Sequence, residues 1–183
     1  YLGSGAVSGN NDSGTSSRSF GSLLSWLNDR KSEAFIVATS NNYLKLPPEL
    51  VRAGRFDGWF WVDLPSNSEL ADIYSVVIRK YGRDPANFDI PALVAASDQF
   101  SGAEVENVFT EALFTSFSEN KEITSEHVMT QAKALSPQAL LEAETVDKSR
   151  EATRGRLKPA SKRETPPISL RETANLRKIA VTN

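Results

Sequence analysis

Arg52 and Arg55 stand on either side of Gly54 in the run Arg-Ala-Gly-Arg-Phe-Asp. A guanidinium presents a fixed fork of donors that fits phosphate oxygens, which an ammonium cannot reproduce. Upstream, an apolar run ends in Ser40-Asn41-Asn42. A neutral amide at the end of a strand can orient a water beside a phosphoryl group without adding charge, and phosphoryl transfer depends mainly on positioning and charge stabilisation. Gly102-Ala103 follows a helix-capping serine, so backbone there can come close to a base or ribose. Each feature also has a plainer reading. Asparagine favours turns and caps, Arg55 can pair with Asp57, and Gly102-Ala103 can be an ordinary helix start.

Two absences bound this chemistry. The sequence has no G-x-x-x-x-G-K-[ST], nor any Gly-Lys dipeptide, so it lacks a phosphate-cradling loop. It also lacks an apolar strand ending in Asp-Glu that could hold magnesium. Phe60-Trp61-Val62-Asp63 imitates one, but it runs on into Leu-Pro and lies after the arginine motif. The single His127 and the lack of cysteine argue against histidine- or thiolate-based metal sites. The lack of cysteine also fits a reducing compartment.

The elements that must hold these residues can be read from periodicity. Residues 1–17 are rich in Gly, Ser and Asn and bury too little to order themselves. Phe20, Leu23, Leu24 and Leu27 share one helical face. Ala34 to Thr39 reads as a strand buried on both faces, the habit of parallel sheets. Pro48 opens a short helix through Arg52, and Gly58 to Leu64 reads as a second strand. Two strands are too few for a stable sheet, so further strands are expected from outside the chain.

Beyond Pro65 the pattern is helical only. Ser66 with Glu69, and Ser101 with Glu104, are capping boxes. The first opens a helix to Tyr81 with Leu70, Ile73, Tyr74, Val77, Ile78 and Tyr81 inward. A short helix covers 89–97. The second box opens a helix with Val105, Val108, Phe109, Ala112 and Leu113 inward. Thr124 caps a helix to about Leu135, and Ser136-Pro137 starts a last one to about Arg154. Trp26, Trp59, Phe60 and Trp61 read as core or subunit-contact residues, and His127 as a helix-surface residue.

Residues 36–65 resemble the second half of the AAA (AAA+) ATPases, through the strand ending in Ser-Asn-Asn, Leu46-Pro47-Pro48-Glu49-Leu50, and the Arg52–Asp57 motif. Ser101-Gly102-Ala103-Glu104 resembles the motif that opens a helix of the AAA lid. Ser17 to Trp26, the Asn41-Asn42 pair, and Gly155-Arg156 with Ala160-Ser161 resemble the AAA family encoded in cyanobacterial genomes and plastid open reading frames.

The resemblance implies an α/β class: the C-terminal half of an AAA+ P-loop NTPase module followed by an all-α four-helix lid. It divides the chain into a flexible loop (1–17), the end of the nucleotide-binding domain (18–65), the lid (66–154), and a basic, loosely ordered tail (155–183). It implies sensor 1 at Asn41, with Asn42 the second choice, and arginine fingers at Arg52 and Arg55 acting in trans. It implies nucleotide contacts at Gly102 and Ala103. ATP and Mg²⁺ are implied for the complete parent, whose phosphate loop and Asp-Glu strand would precede the Gly/Ser loop. None is expected to bind this chain alone. The function implied is ATP hydrolysis in a homo-oligomeric ring, commonly a hexamer, driving remodelling of a protein or complex. The implied location is the cytoplasm or, for a plastid gene, the chloroplast stroma. The alternative is a non-catalytic, truncated AAA-like module that docks on complete AAA subunits.

Charge is uneven. Residues 154–183 carry eight basic and two acidic side chains, about +6, which leaves the rest near −8 within the net −2. The tail lacks interleaved aromatics, so a nucleic-acid partner is not expected. No apolar run reaches the length of a membrane helix.

Overall fold

Ser66 sets the first long helix. Its hydroxyl accepts from the Glu69 amide at 3.4 Å, and the Glu69 carboxylate accepts from the Ser66 amide at 2.8 Å. Both groups would be orphaned at a bare helix start. Ser101 and Glu104 repeat the arrangement, with the carboxylate accepting from the Ser101 amide at 2.7 Å. The computed structural model in which these contacts occur describes residues 21–27, 29, 34–52, 54–161 and 169–170.

Among these, the helices are α1 (residues 21–27), α2 (Pro48–Val51), α3 (Asn67–Lys80), α4 (Ile90–Ala96), α5 (Gly102–Ser118), α6 (Ser125–Ala134), α7 (Gln138–Leu141) and α8 (Ala143–Thr153). Two-residue strands β1 (Phe60–Trp61) and β2 (Lys158–Pro159) pair with each other. The described residues fall into two units, those up to Phe60 together with 152–158, and those of 61–151 together with 159–161 and 169–170.

In the second unit α3, α4, α5 and α6 share one core. Leu70, Tyr74, Val77 and Ile78 of α3 meet Leu93 of α4, Val105, Val108, Phe109 and Ala112 of α5, and Val128 and Ala132 of α6. Phe109 lies between two rings, 5.7 Å from Tyr81 and 5.9 Å from Phe88. A fully buried side chain of this size contributes about 2–3 kcal/mol. The Tyr74 phenol reaches Ser97 Oγ at 2.5 Å, and that hydroxyl lies 2.8 Å from the Leu93 carbonyl it donates to. A serine hydroxyl has one proton, so Tyr74 is the donor to Ser97. Asn120, at φ +56, takes the left-handed conformation that ends α5. The inward faces of α3 and α5 are those expected from spacing.

His127 does more than sit on a helix surface. Its Nδ1 accepts from the Thr124 amide at 3.0 Å, the place a glutamate fills in the other two boxes. The last predicted helix is interrupted. Glu142, at φ −106 and ψ +27, separates α7 from α8. No Gly or Pro marks position 142, so the local sequence carries no signal for the break.

The first unit departs further from expectation. Residues 34–40 form no strand, and Phe35 and Val37 are 93% and 74% exposed. A strand exists only through a ladder partner, and residues 35–40 join no described strand. The second expected strand, 58–64, shortens to β1. Its partner is part of the tail: the Lys158 amide donates to the Trp59 carbonyl at 3.0 Å, and Ala160 to Trp61 at 2.9 Å. Trp59 sits edge-on to Phe56 at 5.3 Å and to Tyr43 at 6.5 Å. Trp26 and Phe60, read as core or contact residues, are 49% and 61% exposed. The expected loop 1–17, and Phe20 of the α1 face, lie outside the described residues.

Leu170 is fully buried against Ala139 and Ala143, with Leu64, Leu140 and Val146 around them. An apolar side chain gains from burial wherever the chain can deliver it, and prolines nearby do not prevent that.

Candidate functional site

The amide and arginine residues lie in the first unit. Asn41 is exposed, whereas Asn42 is half-buried. The Asn42 amide donates to Ser40 Oγ at 3.2 Å, and its carbonyl accepts from the Lys45 amide at 3.3 Å, opening a 3-10 turn over Tyr43–Lys45. Its side-chain Oδ1 is buried and has no hydrogen-bond partner. An unsatisfied buried amide oxygen costs about 1–3 kcal/mol, so Asn42, the second choice on sequence, carries the more unusual environment.

Arg52 ends α2 with extended backbone and is exposed. Gly54, at φ +92, turns the chain sharply behind it, a conformation that side chains with a Cβ resist. Arg55 is half-buried, and its Nη1 donates to the Glu49 carbonyl of α2. The turn at Gly54 thus folds Arg55 back along the helix that Arg52 terminates.

Gly102 belongs to the second unit. It lines a cleft of about 730 Å³ at the start of α5, walled by Trp61, Leu64, Pro65, Ile73 and Ser101 among others. A Cβ on Gly102 would meet Ile73 at 3.8 Å, an ordinary contact, so space alone does not demand glycine there. Ala103 is exposed and is not part of the lining. The side chains of the lining are largely apolar, with Asp63, Glu69 and Asp72 as its charged members. Such a wall suits a flat heterocyclic base or a ribose. It offers no lysine or arginine to a phosphate. Among the described residues no three acidic, histidine or cysteine side chains cluster to hold a metal.

Sequence reasoning missed the polar network beside this cleft. Arg150 of α8 grips Asp63, with Nη2 at 2.7 Å and Nε at 3.0 Å from Oδ1, and the two side chains are only 9% and 11% exposed. Arg150 Nη1 also lies 3.4 Å from Asp147. Asp147 accepts from Ser169 Oγ at 2.8 Å and from the Leu170 amide at 3.2 Å. Asp63 and Arg150 are separated by the whole helical region, and no local pattern announces their pairing.

On sequence, residues 3–64 match the model of the ATPase family associated with various cellular activities (AAA). The chain is 39% identical over 154 residues to the uncharacterized AAA domain-containing protein ycf46 of Guillardia theta, covering 83% of this chain and 30% of that one. The chain belongs to the AAA family. Its ycf46 relative in Pyropia yezoensis is likewise 39% identical, over 74% of this chain and 28% of the relative. A proteasome-activating nucleotidase of Sulfurisphaera tokodaii is 38% identical over 42% of this chain and 19% of its own length. This AAA chain therefore spans about a third or less of the curated relatives it matches. Membership brings the α/β fold of P-loop NTPases. No helix among the described residues is long and apolar enough to cross a membrane.

Proposed function

We propose that the chain is the C-terminal portion of an AAA+ ATPase that hydrolyses ATP in an oligomeric ring, commonly a hexamer, and remodels a protein or complex. In this reading residues 66–154 are the lid, and the cleft at Gly102 takes the base end of the nucleotide. The phosphate loop and magnesium ligands come from elsewhere in the longer protein. Asn41 or Asn42 orients the attacking water in cis. Arg52 and Arg55 stabilise the transferring phosphoryl group on a neighbouring subunit.

The observation that carries the reading is the turn at Gly54, which leaves Arg52 exposed at the end of α2 and sets Arg55 against the same helix. Two guanidinium groups at one helix exit support the reading that they serve a phosphate held by another chain. A trans finger stabilises charge that develops only in the transition state, so its loss falls on kcat and spares ground-state affinity.

The test is Arg55→Ala in a longer protein that contains this segment and a phosphate loop. Hydrolysis should fall by about 10³-fold or more, while ATP binding stays near wild type. Mixing these subunits with subunits that lack the phosphate-loop lysine but keep Arg55 should restore part of the activity. Normal hydrolysis by Arg55→Ala subunits, or loss of ATP binding with the fold intact, overturns the assignment.

A further inference from the structure

We infer that the socket between α7 and α8 is a docking site for a Ser-Leu peptide segment, held in cis by Ser169–Leu170, and that its occupancy braces one wall of the cleft. The socket recognises two features of its occupant. Ala139, Ala143, Leu140, Val146 and Leu64 enclose the Leu170 side chain, which is wholly removed from solvent. Asp147 takes the Leu170 amide at 3.2 Å and the Ser169 hydroxyl at 2.8 Å. An apolar pocket paired with a carboxylate that reads backbone and hydroxyl donors is a short-motif recognition site in miniature.

The link to the cleft is physical contact. Leu64 and Val146 pack against the cluster that Leu170 forms with Ala139 and Ala143, and also line the cleft. Asp147 further connects through Arg150 to Asp63, another lining residue. The Leu64 amide donates to Asp63 Oδ1 at 2.8 Å, so the wall at 63–64 is held from both sides. Withdrawal of Leu170 takes the largest side chain out of the cluster on which Leu64 and Val146 pack, and takes two donors from Asp147. The wall then loosens. The consequence for a bound nucleotide rests on the reading of the cleft given above. The experiment that follows contains no nucleotide, so its outcome does not depend on that reading.

Hydrogen exchange on the full chain compares wild type with Leu170→Ala and Ser169→Glu. The first empties the socket. The second sets a carboxylate against Asp147 and so drives the segment off without truncating Leu170, and serves if Leu170→Ala perturbs the whole fold. In either variant, exchange over residues 61–65 and 143–150 should rise at least about tenfold, while protection in α3–α6 is kept. A synthetic peptide of residues 166–175, at about millimolar concentration to match a tethered tail, should restore protection to Leu170→Ala. The same peptide carrying Leu170→Ala should not. Unchanged exchange at 61–65 in both variants, or failure of the wild-type peptide to restore protection, overturns the inference.

Discussion

Helix α5 places Val105, Val108, Phe109 and Ala112 in a closed core, whereas residues 34–40, equally apolar, leave Phe35 and Val37 in solvent. The difference lies in where each segment finds its backbone partners. A helix satisfies its N–H and C=O groups within itself, and α5 needs only neighbouring faces from α3, α4 and α6. A parallel strand needs hydrogen bonds from other strands on each side. Within the described residues β1 pairs only with Lys158–Pro159, and residues 35–40 join no described strand. Self-contained structure comes from local sequence, while sheet structure waits on partners remote in sequence.

Substitution at one aromatic residue in each region gives the largest contrast. Phe109→Ala should destabilise the helical unit by about 3–5 kcal/mol, since it removes a fully buried ring. Phe35→Ala should change stability by less than about 0.5 kcal/mol, as exposed positions do. Urea unfolding followed by circular dichroism reads both. A comparable loss at Phe35 would mean that residues 34–40 are packed in solution, and the contrast would fail.

A second contrast falls inside the helical unit, between contacts set by local spacing and contacts between distant residues. Arg150→Ala leaves Asp63 nearly buried without its bidentate partner and should cost about 3 kcal/mol. Removing one partner of a buried pair costs more than the pair is worth. Asp63→Asn combined with Arg150→Met should therefore recover much of the loss. If Arg150→Ala unfolds at the wild-type urea midpoint, the network is only a surface ion pair.

The smallest effect is electrostatic and lies at the surface of the same unit. Lys80 holds the Glu106 carboxyl below its ordinary range, Lys121 does so for Glu119, and Arg83 for Glu122. A carboxylate with a lowered folded pKa takes up its proton later than the unfolded chain does. These pairs should contribute fully above the ordinary carboxylate range and lose their contribution as pH falls through the folded values. The groups are exposed, so the acid-side loss should be slight and should shrink in high salt. At the alkaline end burial pushes the Tyr74 phenol up. The unfolded chain then gives up that proton first, and stability should decline only above about pH 10. Thermal melts across pH at two salt concentrations test both limits. A large acid loss that salt leaves unchanged would overturn its assignment to these exposed pairs.

The sequence by itself determined the parts governed by short-range rules. Ser66 with Glu69 and Ser101 with Glu104 announced two helix starts, and the spacing from Leu70 to Tyr81 and from Val105 to Leu113 announced their buried faces. The Arg52–Asp57 motif and Gly102 were legible as candidates, because residue type and neighbours define them. Tertiary structure decided what depends on distant partners. Spacing alone could not say that Asn42 rather than Asn41 buries an unsatisfied oxygen, that Ala103 stays out of the cleft, or that His127 replaces a capping glutamate. Nor could it bring Asp63 to Arg150, pair β1 with Lys158–Pro159, or sink Leu170 into α7 and α8. Periodicity encodes which face of an element is apolar. Which remote residue covers that face is settled only when the whole chain minimises exposed apolar surface and unpaired polar groups together.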